Sequence, residues 1–379
     1  MYEYQLKKNY FAQLAEGLQE PVMKELGELG AKDMRPEHRG LHFSADPAAL
    51  YRINYSARLI TRVLAPLVSF QCSTTDELYA HAVKINWAEI ISAENTFAIL
   101  SNVSDSGITN SQFASLRLKD AVVDSIRTAL GSRPNIDPED PDVWLNLHIR
   151  KDRATISLDT SGGSMHKRGY RKASVSAPMQ ETVAAAALEM SGWEGNVPLY
   201  DPMCGSGTLL CEALMRYCRI SPGVFRRRFG FENLPDFNGQ LWDRVRKDSD
   251  SNIRELPPGL IFGSDISPQT VKIAGTNLKA LQYGERVSLE VRDFRALDAL
   301  KPGIVITNPP YGIRMGQNED LEVFYKELGD FLKQKCKGST AYIYFGEREF
   351  IKKIRLKSTW KKPLKTGGLD GRLVRYDMF

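Results

Sequence analysis

At 379 residues the chain exceeds one ordinary domain, and two or three are expected. Hydrophobic residues make up 42% and charged residues 26%, which excludes a disordered or fibrous chain. The net charge of +5 is compatible with nucleic acid without demanding it.

No window approaches the ~18 uncharged apolar residues of a membrane span. The N-terminus, Met1 to Lys8, has no apolar run after its charges, so no secretory signal is read there and a cytoplasmic location is expected. Cys72, Cys204, Cys211, Cys218 and Cys336 contain no Cys-x-x-Cys pair, and their odd number argues against a disulfide framework. Cys204, Cys211 and Cys218 recur every seven residues, which places Cys211 and Cys218 on one helix face. No His or carboxylate stands beside them at ligand spacing, so no metal is expected and they read as small buried residues.

In chain order, residues 1–60 read as a small α+β unit. Tyr10 to Ala15 and Gly40 to Phe43 alternate as strands, and Pro21 to Leu29 has helical spacing ended by Gly30. Asp46-Pro47 opens a second helix, with Asp as cap and Pro as first helical residue. Residues 61–165 read as a second α+β unit. It holds a strand from Thr96 to Leu100 and an amphipathic helix from Phe113 to Leu130. That helix shows an apolar face of Leu116, Val122, Val123, Ile126 and Leu130, and Gly131 stops it. Val143 to Ile149 and Ala154 to Leu158 then alternate as a strand pair.

From about residue 178 the grammar changes to alternating helices and strands, which predicts a doubly wound, Rossmann-like α/β sheet. Its strands are Pro198–Met203, Leu260–Ser264, Val287–Val291, Gly303–Thr307 and Thr340–Phe345, with helices from Glu181, Ser206, Pro268 and Leu321. Residues 220–257 interrupt the alternation and read as an insertion carrying a helix near Leu241 and the basic knot Arg226-Arg227-Arg228. Two strand-like runs around Gly367-Gly368 predict a closing hairpin. A further basic run extends from Lys352 to Lys365. Such clusters are solvated faces or phosphate contacts.

Asp201-Pro-Met-Cys-Gly205-Ser-Gly207-Thr208 stands where a strand becomes a helix. Glycines there let backbone approach a ligand, beside the free N–H groups of a helix start. The stretch is neither G-x-G-x-x-G nor a phosphate loop, so a dinucleotide or triphosphate is disfavoured. An Asp before the glycines suits a cationic amine. The next strand ends in Asp265, placed to accept from ribose hydroxyls, and the third in Asp293-Phe294, an acid for an adenine amine and a ring to cover it. One strand-end Asp is ordinarily a helix cap or turn residue. Three in succession beside a glycine turn point to a shared crevice.

Ile304-Val-Ile-Thr-Asn308-Pro309-Pro310-Tyr311-Gly312 is the most specific stretch. Three apolar residues make a buried strand, and two prolines end it while removing backbone donors. What projects is a side-chain carbonyl, backbone carbonyls and an aromatic ring. An exocyclic base amine is a poor nucleophile because its lone pair is delocalised. Acceptance of its hydrogens by Asn308 and the Pro309 carbonyl, with Tyr311 stacked on the base, would raise its reactivity. Carbon-5 methylation of a pyrimidine would need a nucleophilic Cys, and none accompanies Asn308.

Over nearly its whole length the chain resembles the bacterial large-subunit ribosomal RNA guanine-N2 methyltransferases that carry a THUMP domain. The resemblance is carried by Ala82 to Trp87, Asn110 to Gln112, Lys119 to Asp124, Arg133 to Asn135, Ser157 to Gly162 and His166 to Arg171. It continues in Glu181-Thr182, Asp201 to Thr208 and Asn308 to Gly312. It implies a ferredoxin-like N-terminal piece (1–60), a THUMP RNA-binding module (61–165) and a methyltransferase domain (166–379) that uses S-adenosylmethionine and releases S-adenosylhomocysteine. It further implies cofactor contacts from Asp201, Pro202, Cys204, Gly205, Gly207, Thr208, Asp265, Ile266, Asp293, Phe294 and Asn308, with Glu181 and Thr182 at the methionine end. The expected partner is structured RNA, 23S ribosomal RNA or a pre-ribosomal particle. Expected RNA contacts are Lys119, His166, Lys167, Arg168, Arg171 and Arg226 to Arg228, with a basic linker as the plain reading of His166 to Arg171. Some members continue into a second methyltransferase domain, whose activity is expected to be absent from a chain ending at Phe379. Transfer RNA guanine-N2 methylation, or a non-catalytic RNA-binding role in ribosome assembly, are the alternatives.

Overall fold

Asp46 accepts a hydrogen bond from the Ala49 amide at 2.8 Å and starts helix Pro47–Ser56 where the Asp-Pro pair predicts it. This and the other local signals are realised in a computed structural model that describes residues 1–174, 178–310, 321–365 and 370–379. Tyr311, Gly312 and the Gly367-Gly368 turn lie outside the described residues. The chain forms two compact units, one of residues 1–14, 26–165 and 226–247, the other of 15–25, 166–225 and 248–379.

In the first unit, β1 (Asn9–Leu14), β2 (Lys32–Glu37), β3 (Gly40–Ser44) and β4 (Ile60–Gln71) share a sheet with β5 (Thr96–Ser104), β6 (Asn135–Ile136), β7 (Val143–Arg150) and β8 (Arg153–Asp159). The order is β2-β3-β1-β4-β8-β7-β5-β6, so the two α+β pieces read from the sequence make one continuous sheet. The joining strand, β4, is not legible as an alternation. Its ladder with β8 slips at Pro66/Val68, and the bulge breaks the period of two. Helix Ser111–Leu130 is capped by Asn110 and ended by Gly131 at φ 75°. It buries Ala114, Leu118, Ala121, Val122, Val123 and Ile126, whereas Leu116 and Leu130, expected on that face, are exposed.

The interrupting segment also behaves differently from its reading as part of the methyltransferase half. Residues 226–247 fold with the first unit, because their rings pack on helix Pro47–Ser56. Phe231 stacks on Tyr51 at 4.5 Å between centroids, and Trp242 meets Tyr55 edge-on at 5.3 Å.

The second unit is a sheet of β9 (Leu199–Asp201), β10 (Ile261–Asp265), β11 (Ser288–Val291), β12 (Ile304–Thr307), β13 (Thr340–Phe345), β14 (Trp360–Pro363) and β15 (Arg372–Asp377). The order is β11-β10-β9-β12-β13-β15-β14, parallel from β11 to β13 and antiparallel through the closing hairpin. Burial of nearly every residue of β12 and β13 explains their continuous apolar runs. At the other end β14 is an edge strand, and its exposed Lys361 and Lys362 discourage further pairing. The order reverses at β9, which has β10 on one side and β12 on the other. In doubly wound sheets, ligands bind at the carboxyl ends beside such a switch point. Among the described residues no helix is long and apolar enough to cross a membrane.

Candidate active site

The switch point brings the glycine turn and the Asn-Pro-Pro motif together. Asp201 ends β9 with its side chain buried, and the Thr307 hydroxyl at the end of β12 donates to its Oδ1 at 2.7 Å. Burial pushes the Asp201 carboxyl up to about 7, opposed by the Thr307 hydroxyl and the Met203 amide and reinforced by the charge of Asp265. Thr307 was not singled out by sequence reasoning, because a Thr ending an apolar strand carries no signal of a partner 106 residues away.

The turn itself is shaped by two glycines in the left-handed region, Gly205 at φ 55° and Gly207 at φ 80°. Gly207 begins helix Thr208–Cys218, and a Cβ there would crowd Ala274 at 3.1 Å. A Cβ on Gly205 would meet nothing within 4 Å, so the backbone there faces open space that a ligand can fill. The Gly205 amide donates to Asp265 Oδ2 at 3.0 Å, and the Ser267 amide to Oδ1 at 3.0 Å. Two carboxylates and the turn are thereby fixed around one space, with Ile266 exposed beside it. This donor set fits S-adenosylmethionine: acids for an ammonium and a ribose diol, an apolar side chain for a ring, and glycines for close approach.

Asp293, two residues beyond β11, has one oxygen on the Arg295 amide at 2.9 Å and the other on the Arg295 guanidinium at 2.8 Å. Phe294, expected to cover an adenine, instead lies in the core at 3% exposure, edge-on to Phe324 and Phe331. Its neighbours are apolar rings, which hold an aromatic side chain more firmly than a crevice wall does.

Asn308 follows β12, and its Oδ1 is buried with no hydrogen-bond donor among the described residues. Pro309 is buried behind it, and the Pro310 carbonyl is occupied by the Tyr325 hydroxyl at 3.2 Å. Cys204 and Cys211 are buried thiols pushed well up, chiefly by burial, and so are poor sources of a nucleophilic thiolate. No group of three or more His, Cys, Asp or Glu among the described residues is placed to hold a metal.

A methyltransferase-domain model described as RMKL-like matches residues 168–375. The chain belongs to that family. A THUMP domain model matches residues 72–159, and a ferredoxin-like domain model named for RlmL matches 9–64. A protein of Synechocystis sp. named as an RNA methyltransferase is 38% identical over 98% of this chain and 97% of its own length. The ribosomal RNA large subunit methyltransferase K/L of Photobacterium profundum is 36% identical over 97% of the chain, which spans 52% of that relative. Among solved structures, SMU.472, a methyltransferase complexed with SAH, has a TM-score of 0.85 at 28% identity, covering 98% of both chains. A Listeria monocytogenes protein described as an N6-adenine-specific DNA methylase reaches 0.84 at 28% identity, covering 99% of this chain and 98% of its own.

Within this RMKL-like member, several cations expected at RNA turn inward instead. Arg168 is 2% exposed and pairs with buried Glu212 at 3.4 Å, while Tyr170 donates to the same carboxylate at 3.2 Å. Arg171 donates to Glu181 at 3.0 Å, Ser206 at 3.0 Å, Thr208 at 3.1 Å and the Met179 carbonyl at 3.2 Å. It therefore fastens the segment before the methyltransferase sheet to the glycine turn, with Glu181 and Thr182 buried in the first turn of helix Glu181–Ser191. Buried Asn277, missed in the sequence, receives the Lys172 and Ala173 amides at 2.8 and 3.1 Å and donates to the Ser206 carbonyl at 3.0 Å.

In the first unit Arg226 caps the carbonyls of Ser161, Gly162, Gly163 and Ser164 at 2.8 to 3.4 Å. Arg228 binds Asp142 at 2.6 Å and the Asp140 carbonyl at 2.7 Å. Turn carbonyls without strand partners need donors, and a guanidinium supplies several in one plane. Lys119 pairs with Asp120 at 3.0 Å, and His166 is half-buried. Of the expected RNA contacts, Lys167 and Arg227 are the exposed ones.

Proposed function

We propose that the chain transfers the methyl group of S-adenosylmethionine to the exocyclic N2 of a guanine in large-subunit ribosomal RNA in the cytoplasm, releasing S-adenosylhomocysteine. The observation that carries this reading is Asn308 Oδ1, buried at the switch point with no hydrogen-bond partner among the described residues. An unpaired buried acceptor costs ~1–3 kcal/mol, and its natural complement is a donor brought by the substrate. A base amine supplies two: one hydrogen for Asn308 Oδ1, the other for the Pro309 carbonyl. Acceptance of both localises the lone pair on nitrogen and lets it pyramidalise. Tyr311 is assigned to stack on the base and hold its plane. The bound cofactor supplies an electrophilic methyl on a sulfonium. The nitrogen becomes acidic once methylated and gives its proton to water, so neutral acceptors suffice and no strong base is needed.

An RNA acceptor is supported by the THUMP match at 72–159 and by relatives named for ribosomal RNA. Guanine N2 rests on the family resemblance of the sequence. Adenine N6, the specificity in the Listeria relative's description, offers the same amine geometry.

Purified protein with labelled S-adenosylmethionine and ribosomal or transfer RNA from cells lacking the gene, followed by nucleoside mass spectrometry, tests this. N2-methylguanosine in large-subunit RNA is expected. Asn308→Ala should lower kcat by about 10²–10³, the loss typical of one well-placed polar group, while leaving the melting temperature unchanged or raised because an orphan acceptor is removed. Product in transfer RNA alone would move the substrate, and N6-methyladenosine would move the acceptor. Cofactor binding without transfer to either RNA would favour a non-catalytic assembly role.

A further inference from the structure

Gly205 and Gly207 let the turn approach a ligand, and the same freedom would let its peptides rotate. The peptide between Ser206 and Gly207 is nevertheless pinned at both ends. Its N–H donates to the Cys204 carbonyl at 2.8 Å, and its carbonyl accepts from Asn277 Nδ2 at 3.0 Å. Asn277 belongs to helix Pro268–Lys279 and lies one turn beyond Ala274, the residue against which Gly207 packs. Both Asn277 and Ala274 are fully buried.

The rest of the same amide is committed to residues 172 and 173. Oδ1 accepts from the Lys172 and Ala173 amides at 2.8 and 3.1 Å, and Nδ2 donates a second time, to the Ala173 carbonyl, at 3.0 Å. Two donors and two acceptor sites are filled, which is the whole capacity of an Asn side chain. All four bonds leave the helix that carries the residue and reach segments 71 and 105 positions away. From the neighbouring position Arg171 grips the same turn through its side chains, at Ser206 Oγ and Thr208 Oγ1. Ser206 is therefore held by its carbonyl from one side and by its buried hydroxyl from the other.

We propose that Asn277 is a positioning residue for the cofactor, whose amide selects the one orientation of the 206–207 peptide in which the glycine turn receives S-adenosylmethionine. A loop already fixed in its bound shape loses less entropy on binding, and the gain appears in affinity rather than in the chemical step. This role rests on the reading of the glycine turn as the cofactor's seat and is independent of which base is methylated.

The test is isothermal titration calorimetry of the full chain with S-adenosylhomocysteine, for the parent and for Asn277→Asp, which keeps the shape and the acceptor of the amide and removes its donors. Affinity should fall about tenfold, the effect of losing a hydrogen bond and leaving a buried carbonyl unpaired. In the ligand-free protein, exchange of the Gly205 and Gly207 amides should quicken. In methylation assays KM for S-adenosylmethionine should rise by a similar factor, while kcat at saturation stays within about twofold. Asn54→Ala controls for stability. Asn54 is a likewise buried amide of the first unit, bound to the Leu50 carbonyl and the Thr160 hydroxyl, and its loss should lower the melting temperature without changing the affinity. Should Asn277→Asp fail to fold, Arg171→Lys decides, since a single ammonium cannot reproduce the planar grip on Ser206 and Thr208 and the affinity should again fall. Affinity of the folded test variant within about twofold of the parent, or an equal loss in Asn54→Ala, would overturn the proposal. A parent that does not bind S-adenosylhomocysteine would remove the cofactor's seat and this role with it. A parent that binds it and methylates no RNA would sink the catalytic reading alone, with the role of Asn277 still decided by the affinities.

Discussion

Asp201 is the residue where burial, charge and ligand chemistry meet. Its carboxyl is held up to about 7 by desolvation, so between its ordinary value near 3.9 and 7 the folded protein keeps a proton that the unfolded chain releases. Stability of the ligand-free protein therefore declines as pH rises through that window and levels off above it. A bound ammonium demands the ionised carboxylate, so the cofactor and the proton compete. With Asp201 assigned to that ammonium, S-adenosylmethionine affinity should fall by up to tenfold per unit as pH drops from 7 to 5.5, and Asp201→Asn should flatten the profile. Isothermal titration calorimetry across that range measures it, and a flat parent profile would remove Asp201 from the ammonium. The Asp was legible in the sequence from its place before the glycines. Its protonation was not, because that depends on Thr307, Asp265 and exclusion of water, none of which is local.

At the scale of elements, the Arg226 to Arg228 segment shows how a charge run divides. Arg226 and Arg228 supply donors to carbonyls of the turns at 161–164 and 140–141, whereas Arg227 is exposed. Gly230 lies so close to this turn that an added Cβ would come within 1.8 Å of the Asp159 carbonyl oxygen, which marks the packing as tight. Arg226→Ala should cost about 2–4 kcal/mol, since charged hydrogen bonds are lost and several carbonyls are left unpaired. Arg227→Ala should cost less than ~0.5 kcal/mol. Urea denaturation distinguishes them, and similar losses for both would refute the division. The helix expected near Leu241 forms as Gly239–Asp250, but the unit it joins was not legible in the sequence. An aromatic-rich segment does not state which helix its rings will meet.

For the molecule as a whole, residues spread over more than a hundred positions converge on one crevice because parallel strands align their carboxyl ends. Saturating S-adenosylmethionine should therefore slow hydrogen exchange at 204–208, 265–267 and 293–295 together, with little change in β14 and β15. Protection centred on that hairpin, or absent from the glycine turn, would contradict the assignment. The structure ties Asp201 and Asp265 to the glycine turn and to Thr307, keeps Asp293 on Arg295, and turns Phe294 away from the crevice. The motif places a ring at the end of β11, but only the packed side chains of Phe324 and Phe331 decide that it turns into the core.

By itself the sequence determined the alternation of strands and helices from 181 onward, the Asp46 and Gly131 helix ends, the glycine turn and the Asn308 motif. Each of these is set within a few residues by dihedral preference, capping or hydrophobic period. Tertiary structure alone decided that β4 joins two pieces into one sheet, that 226–247 belongs with the first unit, and that Arg168, Arg171, Arg226 and Arg228 bind inward. Those outcomes depend on which buried carboxylate, carbonyl or ring lies across a contact. A charged side chain takes whichever partner best repays its desolvation, and that partner is chosen only when distant segments meet.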